Sequence, residues 1–192
     1  MVAIVAGRGL GLAGTSADAL GSRGVVGTAG TGRGGDNVYV NAANGNLVVQ
    51  RLDELVKTTG SDMGLLRTYN SKGVLSGANG DGDDNWRIGF KRQVTGLAGT
   101  ANTAGSTVTR VDADGATQGY TYDSNSQKYI STDGAGSYDT LVFSAGQWTW
   151  QDGNSRVSEV YGWSGGTGKL LSSRDLDGNT ITYTYHPVFA GC

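Results

Sequence analysis

Asp81, Asp83 and Asn85 stand at the first, third and fifth places of the loop that runs into Trp86. That spacing offers oxygen ligands to a hard cation such as calcium. The sixth place is Trp86 rather than glycine and the twelfth is Arg92 rather than glutamate, so both the sharp turn and the bidentate ligand are missing. The three residues form an incomplete calcium candidate, and a solvated loop accounts for them better; no metal and no cofactor is expected. Asp175, Asp177 and Asn179 repeat the spacing with His186 at the twelfth place, and turn chemistry explains them. Nucleophilic catalysis fares no better. His186 is the single imidazole and Cys192 the single thiol, both within the last residues, where chain ends fray. A glycosidase needs two carboxyls across a cleft, and no pair stands out among the seventeen acids. No catalytic residue is assigned, and the chain is not expected to be an enzyme. Trp148, Trp150, Tyr161 and Trp163 allow two readings: stacking on sugar faces from an exposed sheet, or cross-strand packing, which aromatic pairs in hairpins do well. Packing is the expectation and carbohydrate binding the alternative.

The elements that carry these residues are strands. In Thr180–Tyr185, Ile181, Tyr183 and Tyr185 fall on one face and the threonines on the other, behind an Asp177-Gly178 turn whose partner strand is Lys169–Arg174. Asp114-Gly115, Asp133-Gly134 and Asp152-Gly153 follow each other at intervals of 19 residues, and aromatic pairs alternate beside them, as in Tyr120/Tyr122 and Trp148/Trp150. Each interval holds one hairpin, and a hairpin with one apolar face must lie against its neighbours in a continuous sheet. Upstream, a hairpin centred on Asn44-Gly45, a strand over Leu65–Ser71 and another over Trp86–Leu97 are expected. Residues 1–36, rich in Gly and Ala, read as a flexible leader with one short helix at Ser16–Leu20 capped by Ser16. The organisation is therefore a leader over 1–36, opening β-hairpins over 37–105 and hairpin repeats over 106–192.

Composition narrows the function classes. The chain has 192 residues, 34 Gly but 1 Pro, and a net charge of -2 from 17 acidic and 15 basic residues. It lacks the basic excess that a nucleic-acid partner requires. The opening MVAIVA is too short for a standard signal-peptide core, with Arg8 on the wrong side of it, and no stretch is long and apolar enough for membrane insertion. The acids are almost all Asp, as expected of turns rather than helices.

Gly168, Leu170, Asp175, Gly178, Asn179, Tyr183 and Tyr185 match in type and spacing the YD repeat, and the segment resembles RHS-repeat proteins. His186 stands where that pattern has a final Asp. The resemblance extends in weaker form over residues 37–186. It implies an all-β, antiparallel hairpin-repeat sheet, a shell-like segment of a large bacterial protein that is extracellular or on the cell surface. The work implied is architectural: part of a shell or scaffold around a C-terminal effector, with further repeats of a longer chain as partners. With no Lys, Pro or bulge in Thr180–Tyr185 to protect it, this C-terminal edge strand is also expected to self-associate.

Overall fold

The computed structural model describes residues 2–17, 36–73, 84–131 and 134–185. The chain is all-β and forms two sheets. The first has five strands in sequence order: β1 (Ala3–Val5), β2 (Asn37–Asn41), β3 (Asn46–Val56), β4 (Met63–Asn70) and β5 (Trp86–Ile88). β2 and β3 form the expected hairpin, with Gly45 at φ +72° in its turn, a conformation that glycine adopts without strain.

The second sheet takes β6 (Gln93–Ala98), β7 (Thr107–Val111), β8 (Thr117–Asp123), β9 (Lys128–Ile130), β10 (Thr140–Ser144), β11 (Gln147–Gln151), β12 (Ser158–Ser164), β13 (Thr167–Arg174) and β14 (Thr180–Thr182). Strands β6 to β13 pair consecutively and antiparallel, and β13 then pairs back onto β6, which closes a barrel of eight strands. The closure uses only the first half of β13, where Thr167–Lys169 lie opposite Gln93–Thr95. Its second half, Ser172–Arg174, pairs instead with β14. The all-β, antiparallel hairpin sheet is as expected, and its closure into a barrel is a feature the sequence pattern did not specify.

An eight-stranded barrel is just wide enough to be filled by its own side chains. Val94, Val108, Tyr120, Tyr129, Leu141, Trp148, Trp150, Tyr161 and Leu170 fill it as one cluster. The rings meet edge to face, with Tyr129 and Trp148 centroids 5.0 Å apart and Trp148 and Trp163 5.8 Å apart, the arrangement their quadrupoles favour.

Three sequence expectations need correction. Residues 2–17 are not a loose leader and the β-structure begins at Ala3, since β1 pairs in parallel with β2 and Gly7 bridges Thr15. Val5 is buried and so is Thr15, while the backbone N–H groups of Gly11, Leu12 and Ala13 are held by the side chains of Asn70 and Asp114. Residues 18–35, the rest of that expectation, lie outside the described residues. The helical turn does begin at Ser16, but Thr15 caps it, accepting from the Ala17 amide, while the Ser16 hydroxyl accepts from Ala6. Second, Trp86–Leu97 is not one strand: it breaks after Ile88 and continues as β6 in the barrel, so the sheets divide at residues 89–92 rather than at 105. Third, the last strand ends at Thr182, although the Tyr183 amide still donates to the Leu171 carbonyl.

Candidate functional site

The hairpin of β13 and β14 places the seven YD-type residues, and each has a separate physical job. Gly168 faces inward opposite Trp163; a Cβ there would stand 3.3 Å from the Tyr161 and Val94 side chains and 3.4 Å from the Trp163 ring. Leu170 is fully buried beside Tyr161. Asp175 builds the turn. Its carboxylate accepts from the Asn179 amide at 2.8 Å and the Asn179 side chain at 2.8 Å, while Gly178 takes φ +91°. The Ser61 hydroxyl, from the tip between β3 and β4, donates to the same carboxylate at 2.6 Å. The bonds from Ser61 and Asn179 hold Asp175 below the usual carboxylate range. Tyr183 packs half-buried against the barrel core, and Tyr185 is 42% exposed beside Lys169, whose Nζ lies 5.6 Å from the ring centroid.

The four aromatics considered for sugar stacking face inward. Trp148 and Tyr161 are fully buried, Trp150 is 6% exposed and Trp163 is half-buried against the same cluster. Trp148, Trp150 and Tyr161 are covered by protein, so the carbohydrate reading is corrected for these three rings. For the calcium candidate, Asp81 and Asp83 lie outside the described residues, as do His186 and Cys192. Asn85 is described: it is buried at φ +64° and its carbonyl accepts from the Asn70 amide at 3.1 Å. Among the described residues no group of three or more His, Cys, Asp or Glu is placed to hold a metal ion.

A charged network occupies one end of the barrel. Arg110 and Glu159 are 4% and 1% exposed, and the guanidinium donates to Glu159 at 2.8 Å, to Asp112 at 3.0 Å and to the Tyr161 hydroxyl at 3.0 Å. Tyr161 and Arg92 also donate to the Glu159 carboxylate. The guanidinium lies over the Trp150 ring, 3.8 Å from its centroid, and the Trp150 indole donates to Tyr120 at 2.9 Å. Burial opposes the charge on Arg110, but Asp112, Tyr161 and Glu159 outweigh it and keep the group protonated well above its usual range. Burial drives the Tyr161 phenol well up, so it remains a donor. Two arginines and two carboxylates balance, and the closed set of buried bonds among them suits a structural lock.

Sequence reasoning passed over Arg110 and Glu159. The signal was parity: Arg110 shares the inward register of Val108, and Glu159 that of Tyr161 and Trp163.

A second polar hub joins the two sheets. Asp114, in the β7–β8 turn, accepts from the amides of Leu12, Ala13 and Ala116. Asn70 at the end of β4 donates to the Asp114 carbonyl at 2.8 Å and accepts from Gly11 and Asn46. Gly11 has φ +68°, and a Cβ on it would fall 2.3 Å from the Asp114 carboxyl carbon.

Two depressions among the described residues border these elements. One, of about 500 Å³, lies against the β7–β8 wall and includes Thr107, Thr109, Gly119 and Thr121. The other, of about 220 Å³, lies at the barrel mouth between Arg92, Ser173, Ile181 and Tyr183 and the tip Ser61–Gly64. The second sits on the concave face, since Trp150, Glu159, Ser173 and Ile181 are consecutive cross-strand neighbours.

No protein-family model matches this chain, and no curated protein matches it.

Proposed function

We propose that the chain is a structural wall segment of an RHS-type, secreted or cell-surface bacterial protein, in which β14 is the strand that a further repeat extends, within a scaffold around a C-terminal effector. One observation carries the reading. Asp175 donates to the Asn179 carbonyl at 3.0 Å and Tyr183 to the Leu171 carbonyl at 2.8 Å, so the alternation of an antiparallel ladder turns Ile181 toward β13. The backbone groups of Thr180 and Thr182 then point away from β13, and no other strand among the described residues pairs with them. The match of Gly168, Leu170, Asp175, Gly178, Asn179, Tyr183 and Tyr185 to the YD repeat supports the same reading, because these residues build this hairpin. The filled barrel interior, braced by the Arg110–Glu159 network, suits a rigid scaffold.

The test is to extend the chain by one further YD-type hairpin and follow amide hydrogen exchange at Thr180 and Thr182. Exchange at both positions is expected to be fast in the 192-residue chain and to slow at least about tenfold in the extended one. Unchanged fast exchange in a folded extension would refute β14 as the point of growth.

A further inference from the structure

The hairpin of β3 and β4 outruns the sheet that carries it. β2 flanks β3 only over Asn46–Gln50, and β5 flanks β4 over Arg67–Tyr69, with one more bond from the Gly89 amide to the Leu66 carbonyl. Residues 51–65 therefore leave the sheet as a two-stranded arm, with no further strand on either side among the described residues. Residues 51–60 are all exposed. A two-stranded ribbon is marginal in water on its own, so the position of this one is set at its ends.

At the base, Leu52 lies opposite Leu66 and Glu54 opposite Leu65, which leaves Asp53 as an extra residue in β3. A bulge of this kind bends its strand and increases the local twist. The Asp53 carboxylate accepts from Arg67 at 2.9 Å and lies 3.4 Å from Arg51, and these contacts brace the bend. At the tip, the Ser61 hydroxyl donates to Asp175 at 2.6 Å, and a Cβ on Gly60 would stand 3.3 Å from that of Asn179. The tip thus rests on the turn between β13 and β14. Beside it lies the mouth cavity of about 220 Å³, with Ser61–Gly64 on one side and Arg92, Ser173 and Tyr183 on the other. Arg92, 21% exposed, is the member of the charged network that borders this cavity.

We propose that residues 51–65 are a strap across the barrel mouth, bent at Asp53 and latched by Ser61 on Asp175, and that releasing the latch opens the cavity over Arg92. Asn179 orients the Asp175 carboxylate through two bonds of its own at 2.8 Å, so the acceptor stays in place whether or not the strap is seated. One hydrogen bond to a charged group favours the seated position by about tenfold to a hundredfold, which holds the strap and still lets it open.

Labelling of the 192-residue chain with phenylglyoxal, which reacts with guanidinium groups that solvent reaches, tests the strap when the modified arginines are mapped by mass spectrometry. Exposed Arg51 and buried Arg110 are the internal references. Arg92 of wild type is expected to react more slowly than Arg51. Ser61→Ala is expected to speed Arg92 about tenfold or more and to leave Arg110 unreactive. Gly60→Cys with Asn179→Cys, in a Cys192→Ser background, puts two thiols close to the Cβ separation that a disulfide spans. The oxidised pair is expected to slow Arg92 below wild type, and reduction to reverse this. Far-UV circular dichroism checks the fold of each variant. Arg92 labelled at the wild-type rate in Ser61→Ala overturns the proposal, as does a cysteine pair that does not oxidise or whose oxidised form is labelled as fast as the reduced one. Arg110 becoming reactive in Ser61→Ala would mean that the barrel rather than the strap opens, and overturns it too.

Discussion

Glu159→Gln removes one of two negative charges from a set of four ionised groups, Arg92, Arg110, Asp112 and Glu159, that is electrically balanced inside the barrel end. The amide keeps nearly the same shape, so the change isolates charge from packing. Arg110, 4% exposed, would retain its bonds to Asp112 and Tyr161, but Arg92 would lose its partner. Breaking a buried pair by removing one member typically costs about 3 to 5 kcal/mol. Asp112 still faces Arg110 at 3.0 Å, which places the expected loss at the lower end, about 3 kcal/mol. For a chain of this length that lowers the melting temperature by roughly 6 to 12 °C. Urea unfolding of wild type, Glu159→Gln, Arg110→Met and the double variant gives the coupling energy between the two sites. The double variant is expected to be less destabilised than the sum of the singles. A Glu159→Gln protein within about 1 kcal/mol of wild type would mean that the network relaxes or admits water, and the structural-lock reasoning would fail.

Gly11→Ala is expected to release the segment around Leu12, since its φ of +68° and the Asp114 carboxylate leave no room for a methyl group; limited proteolysis should then cut within residues 9–15, and resistance equal to wild type would count against the contact. Asp139 is expected to make the protein more stable as pH falls. Burial, with Asp152 adding, raises its carboxyl to about 6, despite the bond it accepts from the Gly153 amide. The native state then binds more protons than the unfolded chain between the ordinary carboxylate pKa and about 6, so stability drops as pH rises through that window. With solvent screening the effect is about 1 kcal/mol. Thermal melts from pH 7 to pH 5 should show it, and Asp139→Asn should reduce the slope, the buried and likewise raised Asp114 accounting for a remainder; an unchanged slope in the variant would refute the assignment. Trp150→Ala, which empties a ring position against Arg110 and Tyr120, is expected to cost about 3 to 5 kcal/mol in urea unfolding, and a loss below about 1 kcal/mol would contradict its place in the core.

The hairpins were legible because their turns and alternation are local. Asp114-Gly115, Asp152-Gly153 and Asp177-Gly178 mark connections between paired strands, and the parity of Trp148 and Trp150 identifies their shared face. Closure was not legible, because it depends on β13 exchanging partners along its length, from β6 at Thr167–Lys169 to β14 at Ser172–Arg174, across an irregularity opposite Val160 and Tyr161. No composition signal marks that exchange. The order in residues 2–17 was missed for a different reason: the segment is held by Asn70 and Asp114, 59 and more than 100 residues away in sequence. The charged lock was readable in principle, since Arg110 and Glu159 sit at inward positions of their strands, but a charge within an apolar register finds its meaning only once its partner strand is known.

Residue-resolved amide hydrogen exchange of the isolated chain tests most directly the closed barrel, together with the proposal that a further repeat extends it at β14. Every amide of Gln93–Thr95 is expected to be strongly protected, because β6 is flanked by β7 on one side and β13 on the other, while the Thr180 and Thr182 amides exchange fast. Alternate amides of Gln93–Thr95 exchanging as fast as Thr182 would mean that β6 is an open edge, and would contradict the barrel.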